Sequence, residues 1–254
     1  MMKALILAAG TASRLRPLTN DTPKCLLHVG ERSLLQRSMD ALLQNNIREF
    51  VIVTGYLHEK IERFVTQQYG DSIQVSFIHN DVFASTNNIY SLWLARPAVK
   101  GSDVLLLDSD LLYDPQIIAR VLSNDEPNVL TLIRHPLGEE EMKVVTASSR
   151  FHAQGKKADA ILEISKTCRP DEAAGESLGI EKMSSSYCRA LFSELDKMMN
   201  LEHLENKFYE LAFERLIPQG QTFSVLDVSD LFSCELDTVE DFENAKQKIP
   251  ASLY

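Results

Sequence analysis

Cysteine is scarce in this sequence: four residues in 254, with no Cys-x-x-Cys pair among Cys25, Cys168, Cys188 and Cys234. That excludes a disulfide scaffold and a zinc ribbon, and it fits free thiols in a reducing, cytoplasmic setting. The six histidines include no His-Glu-x-x-His spacing, so no zinc-hydrolase signature is present. No apolar run approaches the roughly 20 residues that span a bilayer. The apolar start at residues 3–8 runs directly into Gly10 and an arginine-rich segment, which suits a buried strand and not a signal peptide. Ten glycines and nine prolines exclude collagen-like and low-complexity classes. Basic residues are the minority: 26 Lys and Arg against 36 Asp and Glu give a net charge of −10. A surface of that sign repels nucleic-acid backbones and anionic membranes, so neither is an expected partner. An anionic small molecule needs a local cluster of cations to overcome it. The 44% hydrophobic content is that of a globular chain, long enough to bury a core without a metal or disulfide.

What is present is a regular alternation. Apolar runs at 3–8, 50–54, 73–78, 104–107 and 129–133 predict strands. Helical periodicity separates them. Ser33 and Gln36 have the spacing of a capping box ahead of Leu34, Leu35, Met39 and Leu42. Residues 57–69 and 87–95 also read as helices, and Asp114-Pro115 is a helix start. This order predicts an α/β fold: a doubly wound, mostly parallel, Rossmann-like sheet. Such sheets bind ligands beyond the carboxyl ends of their strands. The segments after Ala8, Thr54, Ile78 and Leu107 should therefore border one crevice. From about residue 143 the pattern becomes one of shorter strands (143–147, 160–164, 179–183, 223–228 and 234–236). Helices are expected at 185–199, 203–216 and 238–248. No linker or repeat interrupts the chain.

Three groups of residues carry chemistry. Leu7, Ala8, Ala9, Gly10, Thr11 and Ser13 end the first strand on small side chains, so a ligand can approach the backbone and meet its N–H groups. Arg14, Arg16 and Lys24 follow within a few residues, a concentration of positive charge that a polyphosphate needs. Taken alone, such a stretch is also an ordinary strand–helix turn with a solvated basic loop. The second group is Asp108-Ser109-Asp110 with Glu235 and Asp237 on a late strand, carboxylates suited to Mg²⁺. The third is Asn80, Asn87 and Asn88, whose amides can read a base or an acceptor, although Asn87 also suits helix capping.

The stretch Leu7-Ala-Ala-Gly-Thr-Ala-Ser-Arg-Leu-Arg-Pro-Leu-Thr19, followed by Pro23-Lys-Cys-Leu26, resembles the N-terminal motif of nucleotidyltransferases. These join a nucleoside triphosphate to a sugar phosphate or small alcohol phosphate. The sequence departs from the motif at Ala12, where the family usually has Gly. If that position needs positive φ, Ala12 is strained. Asn87-Asn-Ile-Tyr-Ser-Leu92 and Gly55-Tyr56 are most similar to the bacterial choline-phosphate cytidylyltransferase branch. The resemblance is strong over the first 110 residues. It implies a single domain spanning 1–254, with a nucleotide-binding half (1–135), an acceptor-binding elaboration (136–235) and a closing helix (236–254). It implies CTP as one partner, a small phosphorylated or phosphonated alcohol or amine as the other, and Mg²⁺ as cofactor on Asp110 and Asp237, with Glu235 nearby. Arg14, Lys24 and Lys166 are then the catalytic cations. Gly55, Tyr56, Asn80, Asn88 and Asp108 join the N-terminal loop at the nucleotide. Asn87, Lys143, Lys166, Glu176 and Tyr209 are the acceptor candidates, although each lysine alone also reads as a solvated surface residue. Whether the chain acts alone or as a homodimer stays open. So do two rivals: a sugar-1-phosphate nucleotidylyltransferase and a non-catalytic nucleotide-sensing subunit. A nicotinamide-dependent oxidoreductase is disfavoured, because no Gly-x-Gly-x-x-Gly follows the first strand.

Overall fold

The computed structural model describes residues 2–150 and 159–253. Strand β1 (Met2–Ala8) leads through a short hairpin, β2 (His28–Val29) and β3 (Arg32–Ser33), into α1 (Leu34–Gln44). Next come β4 (Glu49–Thr54), α2 (His58–Tyr69), β5 (Gln74–His79), α3 (Asn88–Leu94), α4 (Arg96–Val99) and β6 (Asp103–Asp108). Then follow β7 (Leu111–Tyr113), α5 (Gln116–Ser123), β8 (Val129–Ile133), β9 (Lys143–Thr146) and β10 (Ile161–Ser165). The long β11 (Gly175–Met183) precedes α6 (Ser185–Asn200) and α7 (Glu210–Leu216). The last elements are β12 (Ser224–Asp227), β13 (Ser233–Glu235) and α8 (Val239–Lys248).

β1 lies between β4 and β6, parallel to both, and β5 extends the parallel run beyond β4. Residues 4–6 of β1 are wholly buried, because helices cover both faces of the sheet. On one face Leu5 and Leu7 pack with Leu92, Tyr187 and Phe213 of α3, α6 and α7. On the other, Ala4 and Ile6 pack with Leu35, Met39, Ile61 and Ile117 of α1, α2 and α5. Successive side chains alternate between these cores, as the period of a strand requires. The second half joins the same sheet through β11, which runs antiparallel to β6 on one side and β8 on the other. The strand order reverses at β1, so the crevice opens where β1 and β6 end side by side, with Leu7 opposite Asp108. A third cluster joins Leu15 and Leu34 to Leu236 and Phe242, tying the N-terminal loop to the chain's last turns.

The expected strands are all present, with ends shifted by a few residues. Ser33 caps α1 by accepting from Gln36 N, and Thr238 with Asp241 forms a complete capping box on α8. One helix departs from expectation. Residues 203–209 are not helical, and α7 starts only at Glu210. Tertiary bonds take this backbone instead: Asn87 N donates to Glu205 O at 2.8 Å, and Tyr209 N donates to Asn88 Oδ1 at 3.0 Å. The small β7–β13 sheet was not foreseen. It sets Glu235 opposite Leu111, beside Asp110.

Candidate active site

The crevice is a cleft of about 430 Å³ whose floor is the end of β1 and β6. Beyond Ala8 the backbone turns outward, and the N–H groups of Gly10, Thr11 and Ser13 meet no acceptor among the described residues. A Cβ at Gly10 would meet nothing within 4 Å, so the space in front of these donors is open to a ligand. Ala12 adopts φ +47°, ψ +46°, the left-handed conformation that its motif position implies. Its carbonyl is held by Thr19 Oγ1 at 2.9 Å and Leu15 N at 3.1 Å, which overrides the Cβ strain. Ala12→Gly is therefore expected to raise stability by about 0.5 kcal/mol, the relieved strain exceeding the extra unfolded-state freedom of glycine. A urea midpoint equal to or below wild type would contradict this.

Lys24 is the centre of the site. Its Nζ donates to Asp110 Oδ2 and to Asp237 Oδ1, both at 2.8 Å. Arg14 Nη2 holds the other oxygen of Asp237 at 2.7 Å. Three segments far apart in sequence thus converge on one charged knot: the loop after β1, the turn after β6 and the loop before α8. Burial pushes the Lys24 ammonium down, but Asp110 and Asp237 outweigh it, so its pKa stands above the ordinary value. Asp237 behaves in mirror image: burial favours its neutral form, yet Lys24 and Arg14 hold it below the usual carboxylate range. Asp237 lies two residues past the end of β13 at Glu235, not on the strand as alternation suggested.

Carboxylates outnumber cations here. Glu235 is raised to about 8, first by desolvation and then by Asp110, Glu176 and Asp237. Asp108 is raised by burial and by the charges of Asp110, Glu181, Glu210 and Glu235. Its Oδ2 accepts from Tyr209 Oη at 3.1 Å. Gly179 leaves room for it: at φ +79°, a Cβ there would lie 2.7 Å from that oxygen.

A family model described as nucleotidyl transferase matches residues 3–142, more than half of the chain. The chain belongs to the nucleotidyl transferase family. The choline-phosphate cytidylyltransferase of Streptococcus pneumoniae is 38% identical over 110 residues, 43% of this chain and 46% of that protein. The CMP-5'-(3-aminopropyl)phosphonate synthase of Streptomyces rubellomurinus is 28% identical over 251 residues, 96% of this chain and 38% of that protein. The match thus spans less than half the length of either relative. Among solved structures, the CTP:phosphocholine cytidylyltransferase of Streptococcus pneumoniae superposes with a TM-score of 0.74 at 21% identity, covering 98% of this chain and 99% of that one. That is a likeness of fold.

In this nucleotidyl transferase most of the expected site residues line the cleft. Leu7, Ala8, Ala9, Gly10, Thr11, Ser13, Arg14, Lys24, Asn80, Asn87, Asn88, Asp108, Asp110, Lys166, Glu176, Glu235 and Asp237 all do. Four do not. Gly55 and Tyr56 support the loop from behind: Tyr56 N donates to Ala9 O at 3.1 Å, and Tyr56 Oη donates to Thr19 O and Asn20 O. A Cβ at Gly55 would lie 2.6 Å from Ala9 O, so glycine lets the two segments touch. Lys143 is 1% exposed and turned away from the cleft lining, its Nζ spent on Gly138 O and Glu141 O. Tyr209 is wholly buried and does not line the cleft; its hydroxyl donates to Asp108 and its N–H to Asn88, both of which do. Asn87 lines the cleft, but its Oδ1 accepts from Asn88 N, so it serves as the α3 cap.

Phe83 and Glu210, not selected from the sequence, also line the cleft, as do Met142 and Phe208. Glu210 had a readable signal: an acid inside the otherwise apolar run Phe208-Tyr-Glu-Leu-Ala-Phe213. It is 7% exposed, and burial raises its carboxyl to about 7, against the opposing pull of Lys166. A carboxyl raised on folding contributes stability that is present below its ordinary value near 4.5 and lost as pH rises through about 7. Glu210→Gln should therefore be more stable than wild type at pH 8, by about 3 kcal/mol, with the gap closing toward pH 4.5. Denaturant titrations across that range check it. A constant gap would contradict it.

No helix among the described residues is long and apolar enough to cross a membrane. All four cysteines are free.

Proposed function

We propose that the chain is a cytidylyltransferase that transfers CMP from CTP to a small phosphorylated or phosphonated alcohol or amine, releasing pyrophosphate. The observation that carries this reading is the convergence of Arg14 and Lys24, beside unpaired loop N–H groups, with Lys166 in the same cleft. The names of the cytidylyltransferase relatives support CTP and a phosphorylated acceptor.

The loop N–H groups receive phosphate oxygens of the nucleotide. Arg14 and Lys24 hold the triphosphate and take up charge as pyrophosphate leaves. Lys166 brings the acceptor anion in, offsetting the repulsion between two negatively charged substrates. An acceptor oxygen then attacks the α-phosphorus in line, and the α–β bridging bond breaks. A phosphomonoester is already substantially ionised near neutral pH, so no side chain is required as general base.

The residues present fit Mg²⁺. The donors are all carboxylate oxygens, and they exceed the cations beside them. Among the described residues no group of three or more such side chains is preformed around an ion, because the Lys24 ammonium lies between Asp110 and Asp237. Two protein carboxylates supplemented by phosphate oxygens and water suit this ion. Asp110 and Asp237 would hold it, and the chemistry it would supply is neutralisation of phosphate charge.

The test is a matrix of four nucleoside triphosphates against phosphocholine, phosphoethanolamine, 2-aminoethylphosphonate, polyol phosphates and sugar-1-phosphates, scored by pyrophosphate release with and without Mg²⁺. CTP with a small phosphorylated or phosphonated alcohol or amine should be fastest, and only with metal. Preference for a sugar-1-phosphate, or no release with any pair, would overturn the proposal.

A further inference from the structure

The acceptor end of the cleft holds an unusual group. Glu210 Oε2 is buried and has no hydrogen-bond partner among the described residues, yet Glu210 is part of the cleft wall. A buried carboxylate oxygen without a donor is unfavourable unless something arrives to fill it. Glu140, Glu176 and Glu235 line the same end, where the cations are Lys166 and Arg14. Lys166 is itself tied to this wall, its Nζ 4.8 Å from the centre of the Phe208 ring. Phe208, 41% exposed, and Met142 supply an apolar surface beside the carboxyl.

We propose that Glu210 is the specificity residue for the acceptor, and that it takes the ammonium of a zwitterion: a short aliphatic primary amine carrying a phosphate or phosphonate. This rests on the transferase reading given above. The two ends of such an acceptor match the wall. Its anion meets Lys166, its methylenes lie on Phe208 and Met142, and its ammonium pairs with the Glu210 carboxyl of the cleft wall. A trimethylammonium has no N–H to donate and would instead need a cage of aromatic faces. Of the two phenylalanines in the cleft lining, Phe83 pairs with Tyr56, and Phe208 already has the Lys166 ammonium over it. Tyr187, Tyr209 and Phe213 do not contribute, because all three are buried in the core. An uncharged alcohol or sugar would leave the carboxylate surplus unanswered.

The fixed arrangement of Glu210 comes from the non-helical turn before α7. Asn88 Oδ1 accepts from Tyr209 N, and Asn87 N donates to Glu205 O. The start of α3 therefore sets where α7 begins, and with it where the carboxyl stands.

The experiment compares 2-aminoethylphosphonate with ethylphosphonate and with its trimethylammonium counterpart, as kcat/KM with CTP and as calorimetric binding. Wild type should favour the primary amine over ethylphosphonate by roughly 30-fold or more, and over the quaternary amine by a similar factor. In Glu210→Gln the ratio of primary amine to ethylphosphonate should fall to near 1, through KM. Glu210→Asp, which keeps the charge on a shorter arm, should give an intermediate ratio, and it serves if the glutamine variant does not fold. A wild-type ratio near 1, or a ratio unchanged by Glu210→Gln and Glu210→Asp, would overturn the proposal. Absence of turnover with every acceptor would overturn the transferase reading, and the calorimetric ratio would then still decide the role of Glu210.

Discussion

Lys24→Ala is expected to lower kcat by about 10²–10³-fold, the range seen when one preorganised electrostatic stabiliser is removed from a reaction that develops negative charge. The fold should persist, because Lys24 begins a short 3-10 turn, Lys24–Leu26, outside the sheet. In the free protein its ammonium lies between Asp110 and Asp237. A nucleotide brings its own negative charge to the same place, so Lys24 is already charged and positioned when the triphosphate arrives. Its pKa stands above the ordinary lysine value, so the loss should be the same across neutral pH. Steady-state pyrophosphate release, with circular dichroism as the folding control, measures it. Turnover equal to wild type would remove Lys24 from the mechanism. Lys24→Arg should recover little, since a planar guanidinium cannot take the position of a compact ammonium between two carboxylates.

Asp110→Asn should be comparably damaging, by about 10²-fold or more, with a different signature. Asn keeps the size of Asp110 but removes one of the two charges proposed to hold Mg²⁺. The metal concentration for half-maximal rate should rise well above that of wild type. Asp110 is also the foremost charged neighbour that raises Glu235 toward about 8, so Glu235 should titrate lower in the variant. Rates measured over a series of MgCl₂ concentrations separate this from a folding defect. An unchanged metal requirement would place Mg²⁺, if it acts at all, elsewhere in the site.

Much of the nucleotide end was legible in the sequence, for a physical reason. Residues 7–24, the end of β1 and the segment that follows it, form a contiguous stretch whose small side chains, backbone donors and cations are all local properties. Even Ala12 was readable: the motif asks for glycine, and the chain does adopt φ +47° there. Strand periodicity likewise placed β1, β4 and β6, whose carboxyl ends define the crevice. The acceptor end was less legible, because no local pattern creates it. Lys143 looked like a cleft cation, but β9 carries it into the interior, where two carbonyls hold it. Tyr209 looked like an acceptor contact, whereas its neighbours Phe208 and Glu210 line the cleft. That one-residue error follows from the helix start. A helix running from 203 would present different side chains than one beginning at Glu210, and the start is fixed by Asn87 and Asn88 from α3, far away in sequence. Gly55 and Tyr56 failed for a related reason: their role is to support Ala9, a contact between loops that spacing cannot show.

Arg14, Lys24, Asp110 and Asp237 should together form one site for one triphosphate. A crystal structure with MgCl₂ and a CTP analogue whose α,β-bridging oxygen is replaced by methylene tests it most directly. The expected result is phosphate oxygens on the N–H groups of Gly10, Thr11 and Ser13, with Lys24 and Arg14 within hydrogen-bonding distance of the triphosphate and the metal on Asp110 and Asp237. A nucleotide bound away from that loop, with Lys24 still bridging Asp110 and Asp237, would contradict it.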